Sequence, residues 1–82
     1  MQKITNTTLS QCIHFHRKKS GLTRIALAKF AGVGKTVIYD IEHGKQTIQL
    51  DTLLKILSVL NISLYLESPL MKNFEEVQDV TS

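Results

Sequence analysis

The stretch TRIALAKFAGVGKTVIYDIEHG, residues 23–44, decides the fold. It opens on Thr23, whose hydroxyl suits a helix N-cap, and continues through Ile25, Leu27, Ala28 and Ala31 as a short apolar-periodic helix. Ala31-Gly32-Val33-Gly34 then forms a tight turn, with Gly32 closing the helix. A second short helix is expected from Lys35 to His43. At about 100° per residue, Val37, Ile38 and Ile41 cluster on one side, while Lys35, Thr36, Tyr39, Asp40 and His43 fill the other.

That second face carries a cation, a hydroxyl, an aromatic with a polar tip, an acid and an imidazole. Together they offer both donors and acceptors to base edges in the DNA major groove. Two short helices joined by a tight turn form a helix-turn-helix, which presents its second helix to that groove. A merely solvated face is the bland alternative. It is weakened because the face follows a glycine turn from an equally short helix.

Outward from this unit, helix 1 is expected to begin near Thr8, since Thr8-Leu9-Ser10-Gln11 has capping-box form. Leu9, Ile13 and His16, with Cys12 beside them, make its inward stripe, and Arg17-Lys18-Lys19 falls in the last turn, where cations complement the helix dipole. Gly44-Lys45-Gln46-Thr47 reads as a loop and Asp51 as an N-cap or first-turn residue of helix 4. Leu53, Leu54, Ile56, Leu57 and Leu60 give helix 4 a wide apolar face, and Asn61 supplies a left-handed stop. Ile62-Ser63-Leu64-Tyr65-Leu66-Glu67 then alternates with period two except at Tyr65, which predicts a strand. A lone strand needs a partner for its backbone. The candidates are a second copy of the chain, which is favoured, or the segment from Gln2 to Thr5.

Bulk properties narrow the function classes. At 82 residues the chain has room for one small domain and not for an enzyme with a deep separate cleft. No apolar run reaches the roughly 18–20 residues of a membrane span. The N-terminus lacks signal-peptide layout, so a cytoplasmic, nucleoid-associated location is expected. A lone cysteine, Cys12, excludes an internal disulfide framework. The net charge of +3 is divided unevenly: residues 1–66 hold nine of the ten Lys/Arg and three of the seven acids, while residues 67–82 hold Lys72 against Glu67, Glu75, Glu76 and Asp79. A basic body with an acidic tail suits a body that meets a polyanion. The tail reads as disordered. Alternatively, Leu70, Met71, Phe74 and Val77, at i, i+1, i+4 and i+7, form a short amphipathic helix that folds on a partner.

Several blocks together resemble the Cro/repressor-type (Xre-like) helix-turn-helix family: Thr23–Ala28, Ala31–Val33, Thr36–Gly44 and Leu50–Ile56, in the right order and spacing over residues 9–62. Within it the chain is most similar to HipB-type antitoxins, through Gln2-Lys3-Ile4 and the single strand after helix 4. The resemblance implies an all-α, lambda-repressor-like domain of four to five short helices over residues 1–66. One C-terminal β-strand would pair across a homodimer through Ile62, Leu64, Tyr65 and Leu66, and residues 67–82 would be an acidic, flexible tail. It further implies a repressor of its own operon, binding palindromic double-stranded operator DNA, with a HipA-like serine/threonine kinase toxin as partner. A stand-alone phage-type repressor, a restriction–modification controller and a protein-interaction module without DNA readout are the alternatives.

Carried over by position, Thr23 and Arg24 lie at the start of helix 2, near a phosphate. Arg24 stands where the family usually has Gln and could also clamp a recognition-helix side chain. Gly34 replaces the Ser or Thr that commonly caps the recognition helix. Lys35, Thr36 and Asp40 occupy base-reaching positions, with Tyr39 on the same face. Lys35 would donate to guanine and Asp40 accept from cytosine N4. His43, Lys45 and Gln46 match phosphate contacts. Arg17 and Glu42 match a largely buried ion pair joining helices 1 and 3, and His16 departs from the family's aliphatic habit.

No catalytic constellation appears, so no enzymatic activity is expected. Gly32-Val33-Gly34-Lys35 lacks P-loop spacing. Of Cys12, His14 and His16, only Cys12 and His16 share a helix face, and two ligands make a poor zinc site. No metal or cofactor is implied.

Overall fold

The computed structural model describes residues 3–81, with side chains as far as Gln78. Five helices follow one another: α1 (Asn6–Lys19), α2 (Arg24–Ala31), α3 (Lys35–Glu42), α4 (Leu50–Val59) and α5 (Met71–Thr81). α2 lies centrally, packed on both α3 and α4, and α1 packs on α3.

α1 starts earlier than the capping box suggests. Thr5 is the N-cap, and its hydroxyl accepts from the Thr8 N–H at 3.0 Å. Ser10, expected inside that box, is instead buried and donates to the Asn6 carbonyl at 2.8 Å. A hydroxyl satisfied one turn back can enter the interior at little cost. The buried residues of α1 are therefore Ser10, Ile13 and Arg17, while Leu9, Cys12 and His16 are only partly covered.

α2 is capped by Thr23, which accepts from the Ala26 N–H at 3.0 Å. It stops at Gly32, whose φ of 71° is left-handed and costs least without a Cβ. The Val33 N–H returns to the Ala28 carbonyl at 2.9 Å and locks the turn. Leu27, Ala28 and Ala31 face inward, but Ile25 is 64% exposed, contrary to the sequence reading. An eight-residue helix buries one stripe, and Ile25, two positions before Leu27, points to nearly the opposite side.

The core joins Ile13 of α1, the α2 stripe, Ile38 and Ile41 of α3, and Leu53, Ile56, Leu57 and Leu60 from the α4 segment. Each fully buried Ile or Leu stabilises the fold by about 1.5–3 kcal/mol before entropy is counted. Gln49, not Asp51, is the α4 N-cap. Asp51 sits in the first turn and accepts from the Thr52 N–H at 2.9 Å. Leu54 stays 47% exposed, so the wide apolar face is only partly used. Asn61, at φ 57°, makes the left-handed stop.

The expected strand is not formed: the described residues contain no strand, and residues 62–68 carry no regular secondary structure. Period-two alternation prepares a surface for a neighbour but does not supply one, and a strand exists only in a ladder. Of the segment offered as an alternative partner, Gln2 lies outside the described residues. Ile62 tucks against the core, with its N–H on the Leu57 carbonyl at 2.9 Å. Beyond it, Tyr65 and Leu66 are 71% and 81% exposed. The spacing of Leu70, Met71, Phe74 and Val77 is realised as α5, in which Leu70 immediately precedes the first turn. None of the described α5 side chains is buried.

Candidate nucleic-acid interface

Besides the core contacts of Ile38 and Ile41, one carboxylate ties α3 to its neighbours. The Glu42 side chain is 1% exposed and takes Arg17 Nε on Oε2 at 2.5 Å and Arg17 Nη2 on Oε1 at 3.1 Å. Arg17 Nη1 also donates to the Leu22 carbonyl at 2.9 Å, fixing the loop between α1 and α2. Two further donors reach Glu42 Oε1: His14 Nδ1 at 3.0 Å and Arg24 Nε at 3.2 Å. Burial alone would raise the Glu42 pKa, but the hydrogen bonds and charges of Arg17 and His14 prevail and lower it to about 2. The ion pair of α1 and α3 is therefore one part of a cluster that also draws in α2.

With α3 fixed this way, Lys35, Thr36 and Tyr39 project outward. Arg24 lies with its guanidinium 5.4 Å from the Tyr39 ring centroid, and the His43 ring stacks on the Tyr39 ring with centroids 3.9 Å apart. The His43 Nδ1–H donates to the Tyr39 carbonyl at 2.7 Å. Tyr39 is thereby held, although its side chain remains about half exposed. Arg24 acts as the clamp considered for it, on both Tyr39 and Glu42.

Thr23, Arg24, Lys35, Thr36 and Tyr39 come together around one open concavity of about 550 Å³. Asp40 lies on the other flank of α3, above a second hollow, where Lys45 Nζ approaches its Oδ2 at 3.6 Å. The Lys45 N–H also returns to the Asp40 carbonyl at 3.0 Å, so the loop after α3 folds back beside it. Gly34 is the α3 N-cap and supplies no side-chain bond. His43 and Gln46 are exposed and line neither hollow. Ile62 and Leu64 line a third hollow with Leu54 and Leu57, away from α3, while Tyr65 and Leu66 stand beyond it.

His14, Lys18 and Ile25 also line the main concavity, although the sequence reading gave none of them a part in it. The i, i+4 spacing of His14 and Lys18 was the available signal, since it places both on one face of α1. His16 turns elsewhere, donating its Nδ1–H to the Cys12 carbonyl at 2.7 Å. No helix among the described residues is long and apolar enough to cross a membrane.

Comparison with known proteins identifies the family. A family model described as Helix-turn-helix matches residues 13–66. An uncharacterized HTH-type transcriptional regulator of Sinorhizobium fredii, y4mF, is 34% identical over 65 residues, covering 79% of this chain and 86% of the relative. A chain of the HipA-HipB-O2-O3 complex superposes with a TM-score of 0.74 at 31% identity, over 84% of this chain and 99% of that one. A chain of the HipB-O1-O2 complex gives 0.72 at 32% identity, over 83% and 100%. The family match begins at Ile13 and runs through the Arg17–Glu42 pair, the turn at Gly32 and all of α4. The chain belongs to the helix-turn-helix family and is a DNA-binding transcriptional regulator.

Proposed function

We propose that the protein is a sequence-specific repressor that binds palindromic operator DNA as a homodimer and serves as the HipB-like antitoxin of a type II toxin–antitoxin operon, with a HipA-like kinase as its toxin. The observation that carries the DNA reading is the assembly of Thr23, Arg24, Lys35, Thr36 and Tyr39 around one open concavity on a rigidly held α3. The similarity to HipB chains solved with HipA and with O1, O2 and O3 supports the antitoxin part.

In this reading the start of α2 meets a backbone phosphate through Thr23 and Arg24, and Gly34 lets the backbone approach another. Lys35 and Thr36, in the first turn of α3, reach base edges, Lys35 donating to guanine O6 and N7. Asp40 accepts from cytosine N4. An acid near phosphates weakens binding unless paired, and the Lys45 contact offsets that cost. Asp40 then serves discrimination more than affinity. His43, Lys45 and Gln46 follow the backbone past the helix. Ile62, Leu64, Tyr65 and Leu66 pair with their copies in a second protomer, giving the exposed apolar residues of that segment a neighbour.

Fluorescence anisotropy with a palindromic fragment of the protein's own promoter region, against random duplex of equal length, tests the DNA reading. Specific binding is expected to exceed non-specific binding by about 10³-fold or more. Equal affinity for both would leave a protein-interaction module. A pull-down that recovers no kinase would remove the antitoxin part and leave a stand-alone repressor or a restriction–modification controller.

A further inference from the structure

Glu42 gathers more positive charge than one carboxylate neutralises, and the excess opens toward the main concavity. Arg17 is 5% exposed and committed to Glu42 and the Leu22 carbonyl. The His14 side chain is 46% exposed, and Lys18, one turn further along α1, is exposed and makes no ion pair among the described residues. Both line the concavity shared with Lys35 and Tyr39. They form a wall supplied by α1, outside the two-helix unit that gives the family its name.

The hydrogen bond of His14 fixes what this wall can bind. An ionised Glu42 carboxylate only accepts, so the 3.0 Å contact places a proton on His14 Nδ1. In the neutral ring Nε2 is then a bare acceptor and repels an anion. Once the ring takes a second proton, Nε2–H becomes a charged donor while Nδ1–H stays on Glu42. The titratable and charged groups that share its carboxylate or its concavity are Glu42, Lys35 and Tyr39 from α3, Arg24 from α2, and Arg17 and Lys18 from α1. A phosphate brought to this set supplies the negative charge that a second ring proton answers.

We propose that α1 contributes a DNA backbone-phosphate contact through His14 Nε2 and Lys18 Nζ, and that making this contact takes up a proton at His14. The proposal rests on the DNA reading above and adds to it a contact element and a pH dependence.

The test uses the full chain and the duplex from its own promoter region, titrated over a salt series at pH 5.5 and at pH 8, the interval in which imidazoles ordinarily titrate. Wild type is expected to bind severalfold more tightly at pH 5.5. His14→Gln, which keeps an amide donor for Glu42, is expected to lose that gain, with His16 and His43 unchanged in both proteins. Lys18→Ala is expected to make the log–log salt dependence shallower by about 1 per protomer. Because Lys18 is exposed, this second variant carries the test even if His14→Gln melts early. Wild-type slope and pH response in both variants, with tight duplex binding retained, would overturn the α1 contact alone. Absence of duplex binding by wild type would remove the DNA reading, and the proposal with it.

Discussion

Glu42 is where single residues matter most. Its carboxylate is lowered from an ordinary 4.5 to about 2, so folding holds it ionised. A depressed folded-state pKa contributes stability that is complete above about pH 4.5 and is lost as pH falls toward 2. The size is about 3 kcal/mol for a side chain this buried. Urea melts between pH 6 and pH 2.5 should show that loss, and Glu42→Gln should show little of it while costing about 3–5 kcal/mol at pH 6 by stranding Arg17. A variant as acid-sensitive as wild type would refute this account. On the exposed side of α3, Lys35→Ala should weaken specific binding by about 1–3 kcal/mol and relax one base position, and an unchanged operator preference would contradict its assignment. The Arg17–Glu42 pair was legible through family resemblance. The arrival of His14 and Arg24 at the same carboxylate was not, because they lie 28 and 18 residues from Glu42 and only the packed fold brings them together.

At the scale of elements, α2 and α3 were legible because Gly32 and the Thr23 cap mark boundaries by local chemistry. The start of α1 was misplaced by three residues because Thr5 and Thr8 can both cap, and the choice falls to the one whose hydroxyl reaches a free N–H. Unlike α1 and α2, α3 lacks a side-chain cap. Gly34 has φ −70°, and a Cβ there would meet only Val37 Cγ2 at 4.0 Å. Gly34→Ser should therefore raise stability by a few tenths of a kcal/mol, visible as a higher calorimetric midpoint; a lowered midpoint would mean that the turn needs glycine for another reason. The strand was legible as a pattern but absent as an element, since alternation is a property of one chain and a ladder is a property of two segments.

For the whole molecule, the extents are 43 × 25 × 23 Å. Tyr65 and Leu66 before α5, and Phe74 and Val77 on it, remain exposed. Tyr65→Pro, which removes a ladder donor, should shift the protein toward monomer in analytical ultracentrifugation. A dimer of undiminished strength would rule out strand-mediated pairing. The charge division was plain in composition, but its use was not, because composition does not say which cations Glu42 consumes and which remain outward.

Three helices answering to one carboxylate also has a kinetic consequence. α1, α2 and α3 cannot loosen one at a time without stranding a partner of Glu42, so they should open as a single cooperative unit. Native-state amide exchange should place their slowest amides in one class that opens with a common free energy, with the α5 amides exchanging far sooner. Separate classes for α1 and α3 would show that the carboxylate joins the helices without coupling their opening.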